Sequence, residues 1–308
     1  MNENSRTKRI QKIGFDPTRL ETESVTGCNL CGGSVFCAIA WTDRYDYPVQ
    51  SNLCLTCGLI FLSPRLTAAE YARFYDGIYR PLVSAYHGRV IDAVTVEEEQ
   101  QEYTSNLIRF LMPHLSAKNI RTMLDVGGST GVIAAGLKEA IGCEGVVLDP
   151  SPPELERAEQ RGLRTICALI EDDDLASEGP FDFVCLCQTI DHLLDVRGAL
   201  VSIRNLLSED GFFYVDFVDF ETIAARTARI EGAIKIDHPY YFTRDTIEAY
   251  LRQTGFTIVA MMVMPDGHHV GYLCRGGEPA PGSVGLQPFA GEQYRRIRTI
   301  QAAAGNSG

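Results

Sequence analysis

The chain has 308 residues, 45% of them hydrophobic, enough for one large domain with a small module beside it. Asp and Glu number 40 against 28 Lys and Arg, a net charge of -12. This disfavours nucleic acid as a partner, since phosphate neutralisation draws on Lys and Arg. No segment approaches the length of a membrane span, and the polar opening MNENSRTKRIQK lacks a secretory apolar run, so a soluble, cytoplasmic protein is expected.

Residues 1–24 read as a flexible N-terminus. Two Cys-x-x-Cys-Gly units follow, in TGCNLCGGS and LCLTCGLIF, with 22 residues between the pairs. Two thiolates spaced by two residues can converge on one ion. The glycine after each pair permits a left-handed turn, so backbone N–H groups can point at the sulfurs. Cys28, Cys31, Cys54 and Cys57 together would make a closed tetrahedral shell, the preference of structural zinc, with no open position for catalysis. Four ordinary buried cysteines explain the paired units poorly, and a redox pair lacks a thioredoxin-like setting. The short β-rich runs VFCAIAW and LIFLS complete a zinc-ribbon-like module over residues 25–66. The other six of the ten cysteines are scattered, mostly in apolar runs, and read as small buried hydrophobes.

Residues 67–118 form a helical connector. Its first helix opens near Thr67 as a cap and aligns Tyr71, Phe74, Tyr75 and Ile78 on one face, with Tyr75 or Tyr79 as pocket candidates. A second helix covers EEEQQEYTSNLIRFLMPHL.

From residue 119 to 275 apolar strand-like runs alternate with helical ones: TMLDV, GVIAAGLKEAI, GVVLD, PPELERAEQRG, TICAL, FDFVCLCQTI, DVRGALVSIRNLL, GFFYVDFV, TRDTIEAYLRQTG, TIVAMMVM and HVGYLCR. This pattern implies an α/β fold with a mostly parallel sheet, whose ligands bind at the carboxyl ends of the strands. After the first strand comes LDVGGSTG. It has no Gly-Lys-Ser/Thr, which excludes a Walker loop. The dinucleotide spacing fails as well, because Ser129 and Val132 stand where glycines would be required. Its glycines let a ligand approach the backbone at a helix N-terminus. Asp149, at the tip of the second strand, can accept both ribose hydroxyls. Loop and carboxylate together imply a nucleoside ligand whose other end needs no phosphate cradle. The residues from 276 onward, rich in Gly and Pro, read as a loosely ordered tail to 308.

The order Asp125-x-Gly127-x-Ser129-x-Gly131, LDPSPPELERAEQRG, FDFVCLCQTIDHLLD, LLSEDGFFYVDF and HPYYFTRDTIEAYLRQTGF resembles the class I S-adenosylmethionine-dependent methyltransferases. The two Cys-x-x-Cys-Gly units look like the zinc-bearing subgroup that includes methyltransferases of sugars and other small metabolites. The resemblance implies a Rossmann-like seven-stranded sheet, mostly parallel with an antiparallel last strand. It implies that Gly127, Gly128, Ser129 and Gly131 face the methionine part of S-adenosylmethionine and that Asp125 lies near its amino group. Asp149, followed by Pro150, would hold the ribose. Ile170 and Glu171 would flank the adenine, and Gln188 would lie near the methionine end.

Methyl transfer to an alcohol is an in-line displacement that also needs a base. His192 is the first candidate, implied by sugar-modifying relatives, with Asp191 to orient it or contact substrate. His238 is the second, in the excursion DFETIAARTARIEGAIKIDHPYYF after the fifth strand. With its tyrosines and Arg226 or Arg229, that excursion is expected to shape the acceptor pocket. His268 and His269 read as surface residues at a hairpin turn. The expected activity is O-methylation of a small molecule such as a sugar or sugar-bearing metabolite, with N-methylation left open. Alternatives are an RNA methyltransferase with the zinc module as reader, and a non-catalytic nucleoside-binding protein; a dehydrogenase is weakened by the loop spacing. The sequence carries no sign of oligomeric state.

Overall fold

The computed structural model describes residues 3–280 and 287–305. Helix α1 (Glu3–Gln11) is followed by strands β1 (Phe36–Thr42), β2 (Pro48–Cys54) and β3 (Ile60–Leu62), then helices α2 (Ala68–Gly77), α3 (Tyr79–His87) and α4 (Ala93–Leu115). Next come β4 (Thr122–Val126), α5 (Val132–Ile141), β5 (Glu144–Leu148), α6 (Pro152–Gln160), β6 (Arg164–Ile166), β7 (Phe181–Leu186), α7 (Val196–Leu206) and β8 (Leu207–Val218). The chain continues through α8 (Phe220–Thr227), α9 (Arg244–Gln253), β9 (Phe256–Val263), β10 (His269–Gly276) and α10 (Gln287–Gly305).

Contacts divide these elements into two compact units. The second unit runs from Val96 to Val218 and from Ile247 to Gly282; the first takes the chain up to Thr95, the stretch Asp219–Thr246 and the C-terminal stretch. The excursion after β8 therefore belongs with the cysteine module and not with the sheet that precedes it.

The second unit is built on a seven-stranded sheet in the order β9-β10-β8-β7-β4-β5-β6. Strands β4 to β8 pair in parallel, and β10 runs antiparallel to both neighbours, β8 and β9. This is the Rossmann-like methyltransferase fold, with the expected antiparallel last strand. Its central strands are apolar on both faces: Met123, Leu124 and Val126 in β4 and Phe183, Val184, Cys185 and Leu186 in β7 are all buried, as parallel strands require. The chain winds from β4 outward through β5 to β6, then returns to β7 on the other side of β4. The switch point lies between the carboxyl ends of β4 and β7, where ligands bind in such sheets.

In the first unit, β1, β2, β3 and the two residues Tyr240–Tyr241 form a four-stranded antiparallel sheet. Helix α2 starts as expected, with the Thr67 hydroxyl accepting the Glu70 N–H at 3.4 Å. Two expectations are corrected. The N-terminus is not simply flexible: α1 buries Ile10 and donates from Arg9 Nε to the Ala85 carbonyl at 2.8 Å. In the tail expected to be loosely ordered, α10 forms where the Gly/Pro-rich composition ends, and buries Ala290, Gln293 and Ile297 at helical spacing. The rest of that expectation falls partly on 281–286 and 306–308, and that for the N-terminus on residues 1–2, all outside the described residues.

Candidate active site

Strand β4 delivers Asp125 and then the turn Gly127–Gly131 to the switch point. Two glycines there are needed for different reasons. Gly127 has φ +70°, and a Cβ on it would stand 2.6–2.8 Å from the Thr189 side chain. The loop after β4 is thus pressed against the loop after β7. Gly131, at φ +74°, faces Leu163 and Ala158 and lets α5 begin against α6. Ser129 also adopts a positive φ, +49°.

Asp149, beyond β5, fixes this turn from the side. Its Oδ2 accepts the Ser129 N–H at 3.0 Å and its Oδ1 accepts the Ser151 N–H at 2.9 Å. Each oxygen keeps a further lone pair for a ligand hydroxyl. The Ser129 hydroxyl is engaged by Glu154 at 2.9 Å. Burial raises the Asp149 pKa against the two backbone donors.

Asp125 is 1% exposed. The Cys185 thiol donates to its Oδ1 at 3.3 Å, while its buried Oδ2 accepts no hydrogen bond. That oxygen faces the Gly128 backbone, where a Cβ would stand 2.7 Å from it. Burial pushes the carboxyl up to about 7; the Cys185 thiol opposes this, and the charges of Asp149 and Asp216 add to it. A buried carboxylate with one uncompensated oxygen is costly unless a donor or cation meets it. An ammonium group at this place would satisfy it, so the residues present fit a cationic, ribose-bearing ligand.

Beyond β7, Gln188 adopts φ +52° and donates its N–H to Asp216 Oδ1 at 2.7 Å. Asp216, on β8, is wholly buried and also accepts the Tyr103 hydroxyl at 2.9 Å. Neither Asp216 nor Tyr103 is signalled by sequence spacing, because β8 places the one and α4 the other. Asp191 and His192 lie in the 3-10 turn Ile190–His192. Asp191 is buried and accepts the Val218 N–H at 3.3 Å; His192 is half-buried. Asp125, the glycine turn, Asp149, Gln188, Asp191 and His192 all occupy loops or strand ends on the carboxyl side of β4, β5 and β7. Ile170 is buried and Glu171 exposed in the loop after β6, and Pro150 follows Asp149.

Residues 96–261 match the model of a family described as a methyltransferase domain. The chain belongs to this methyltransferase family. No curated protein sequence matches it. Among solved structures, the S-adenosylmethionine-dependent methyltransferase SibL in its apo form is 19% identical, with a TM-score of 0.51 over 68% of this chain and 62% of its own. The PH0226 protein of Pyrococcus horikoshii is 18% identical, with a TM-score of 0.50 over 58% of this chain and 92% of its own. An S-adenosylmethionine-dependent methyltransferase from Clostridium acetobutylicum is 16% identical, with a TM-score of 0.49 over 68% of this chain and 99% of its own. At 18–19% identity, the likeness to the first two concerns the fold.

The first unit of the methyltransferase carries the four cysteines. Their sulfurs all lie within 4.8 Å of one another, with Cys28–Cys57 at 3.5 Å and Cys31–Cys54 at 3.6 Å. A tetrahedral ion with bonds of about 2.3 Å sets sulfurs about 3.8 Å apart, so the donor set fits one metal ion. The two Cys-x-x-Cys-Gly motifs fold alike: the Gly32 and Gly58 N–H groups donate to the Cys28 and Cys54 carbonyls at 2.8 and 2.9 Å, at φ +71° and +83°. The Gly33 N–H reaches Cys31 Sγ at 3.4 Å, as the motif predicts. Of the scattered cysteines, Cys143, Cys185, Cys187 and Cys274 are buried as expected. Cys37 is only half-buried, and Cys167, in the short loop after β6, is exposed.

His238 and its neighbour Asp237 also belong to the first unit, in the excursion after β8. Both are buried, with His238 Nε2 3.6 Å and Lys235 Nζ 3.5 Å from Asp237 Oδ2. Tyr71 and Tyr75 donate hydroxyls to the Ile236 and Asp237 carbonyls at 3.3 and 2.8 Å. Asp43, not signalled by the sequence, holds the same stretch by accepting N–H groups from Tyr45, Tyr47 and Ile236. Tyr45 and Tyr47 bury hydroxyls that make no hydrogen bond.

His268 and His269 require a correction. They are part-buried, not surface residues, and both imidazoles turn toward Asp266.

Proposed function

We propose that this methyltransferase uses S-adenosylmethionine to methylate a hydroxyl of a small molecule, a sugar or sugar-bearing metabolite. The observation that carries the cofactor assignment is the buried Asp125 oxygen without a hydrogen bond, beside a glycine turn and opposite Asp149, in a chain of the methyltransferase family. Asp125 would receive the ammonium, directly or through water. Asp149 would accept ribose hydroxyls while Ser129 and Ser151 hold it in place, and Ile170 and Glu171 would flank the adenine. Gln188, anchored through Asp216, would border the methionine end. When bound, S-adenosylmethionine supplies an electrophilic methyl group on a sulfonium.

The chain must then align the acceptor oxygen and take its proton. His192 is the base assigned first, with Asp191 beside it; His238, paired with Asp237, is the second candidate. Removing a general base costs roughly 10²- to 10⁴-fold in rate. The excursion Asp219–Phe242, with its tyrosines and Arg226 or Arg229, is assigned to acceptor choice: exchanging it should change acceptor preference without changing cofactor affinity. The four thiols hold a structural zinc ion, which closes the turns at Gly32 and Gly58 and leaves no coordination position for chemistry. A cytoplasmic setting agrees with cysteines that form no disulfide among the described residues. Among the described residues no helix is long and apolar enough to cross a membrane.

Calorimetric titration with S-adenosylhomocysteine tests the cofactor assignment. Binding by the parent that is lost in Asp149→Ala supports it. Absence of binding by folded, zinc-loaded parent overturns it. An acceptor screen with deoxysugar nucleotides and glycosides, read by methyl incorporation, then tests the substrate class.

A further inference from the structure

The turn joining β9 to β10 reads Asp266-Gly267-His268-His269. One nitrogen of each imidazole and one carboxylate oxygen lie within 4.8 Å of one another. Asp266 Oδ2 is 2.6 Å from His269 Nδ1, and its Oδ1 is 3.3 Å from His268 Nδ1. The two rings lie 4.7 Å apart between centroids and are tilted by 37°. A turn of this kind needs only the bonds that Asp266 Oδ1 accepts from the His268 and His269 N–H groups, at 2.8 and 3.0 Å. His268 Nδ1 also lies 3.2 Å from the Asp266 main-chain carbonyl oxygen, so both imidazoles turn the same nitrogen toward oxygens of one residue.

The surroundings favour a cation. His269 pairs with Val218 across the β8–β10 ladder, so the turn stands at the carboxyl edge of the parallel strands. Burial opposes a positive charge on His269, while its hydrogen bond to Asp266 and the charges of the buried carboxylates Asp216 and Asp191 favour one. The side chains of His268, His269 and Asp266 are 25%, 20% and 38% exposed, open to an ion from solvent yet partly sheltered.

We infer that Asp266, His268 and His269 form a divalent-metal site, separate from the four thiols, for a borderline ion of the zinc, cobalt and nickel class. Two imidazoles and a carboxylate are the donors such ions prefer, and three protein ligands leave positions for water or another oxygen ligand. Binding needs both Nδ1 atoms unprotonated, so a proton held on either one would leave to solvent or sit on Nε2 instead. The inference does not depend on the cofactor or on the reaction.

The test uses the full chain, purified with zinc, dialysed against metal-free buffer and titrated with zinc in a calorimeter; bound metal is counted by mass spectrometry. The parent is expected to take up about one equivalent beyond the ion held by the thiols. That equivalent should vanish in His268→Ala and in His269→Gln, with circular dichroism and the thiol-held equivalent unchanged. Should His269→Gln fail to fold, His268→Ala carries the test alone. Cobalt offers a second readout: the thiol site gives intense sulfur-to-metal absorption, and the turn site adds only weak bands. A parent that binds no further equivalent, or variants that bind it undiminished, would overturn the inference.

Discussion

At the scale of single residues, two carboxylates divide the work of the proposed cofactor site. Asp149 is held by two backbone N–H groups and keeps accepting capacity. Its replacement by Ala should weaken S-adenosylhomocysteine binding by about 1.5–3 kcal/mol, roughly 10- to 150-fold, the worth of a hydrogen bond to a charged group. Calorimetry reads the loss, and an unchanged melting temperature without ligand would separate it from misfolding. Asp125 titrates differently. Its folded pKa of about 7 lies above the ordinary 3.8, so the folded state holds the proton more tightly. That contribution to stability is fully present below about pH 4 and is lost as pH rises through about 7. Between about pH 5 and about pH 8 the parent should lose about 2–3 kcal/mol relative to Asp125→Asn, measured by urea denaturation at both values. An equal slope for the two proteins would show that Asp125 is not the titrating group. Local spacing singled out Asp149 and the four cysteines in the sequence, and the family resemblance singled out Asp125. Asp216 and His269 were not legible there, because their importance comes from the β8–β10 register, which pairs Val218 with His269 and Asp216 with Gly271.

At the scale of elements, α5 shows how backbone conformation and packing act together. Both its caps are left-handed glycines, Gly131 at φ +74° and Gly142 at φ +79°. A Cβ at Gly142 meets nothing, whereas one at Gly131 would lie 2.5 Å from Leu163 Cδ1 and 3.0 Å from Ala158 Cβ. Gly142→Ala should therefore cost only conformational strain, about 1–2 kcal/mol. Gly131→Ala should cost about 2–4 kcal/mol, since overpacking adds to strain. Chemical denaturation of the two variants gives the comparison; equal losses would remove the packing argument. The elements themselves were readable from periodicity, and the strands TMLDV, GVVLD and FDFVCL formed where their apolar runs stood. Helix α10 escaped because the Gly- and Pro-rich residues before it dominate the composition, while its buried positions 290, 293 and 297 are few and one is polar.

At the scale of the whole molecule, a sequence read end to end suggests modules in series, and the fold is not arranged so. The first unit recruits the stretch from Asp219 to Thr246 and the C-terminal stretch. Linear reading could not anticipate this, because pairing between β3 and Tyr240–Tyr241 is set by long-range register and not by local propensity. The metal prediction belongs here. If the four thiols hold zinc as proposed, removing it with a strong chelator should loosen the turns that join the four-stranded sheet. Calorimetry should then show one transition moved down by several degrees and a second, from the sheet of β4 to β10, unmoved. A single transition shifting as a whole would instead mean that the two units unfold together.

The pairing of β3 with Tyr240–Tyr241 also bears on how the chain is made. During synthesis the two cysteine pairs and β1 to β3 leave the ribosome early, but the strand that completes their sheet follows only after β4 to β8 have been translated. Until then β3 presents an open edge, and unpaired edges invite association with other chains. Early capture of metal by the nascent thiols would hold these strands in register during that interval. A fragment ending before Tyr240 should accordingly aggregate, even when supplied with zinc.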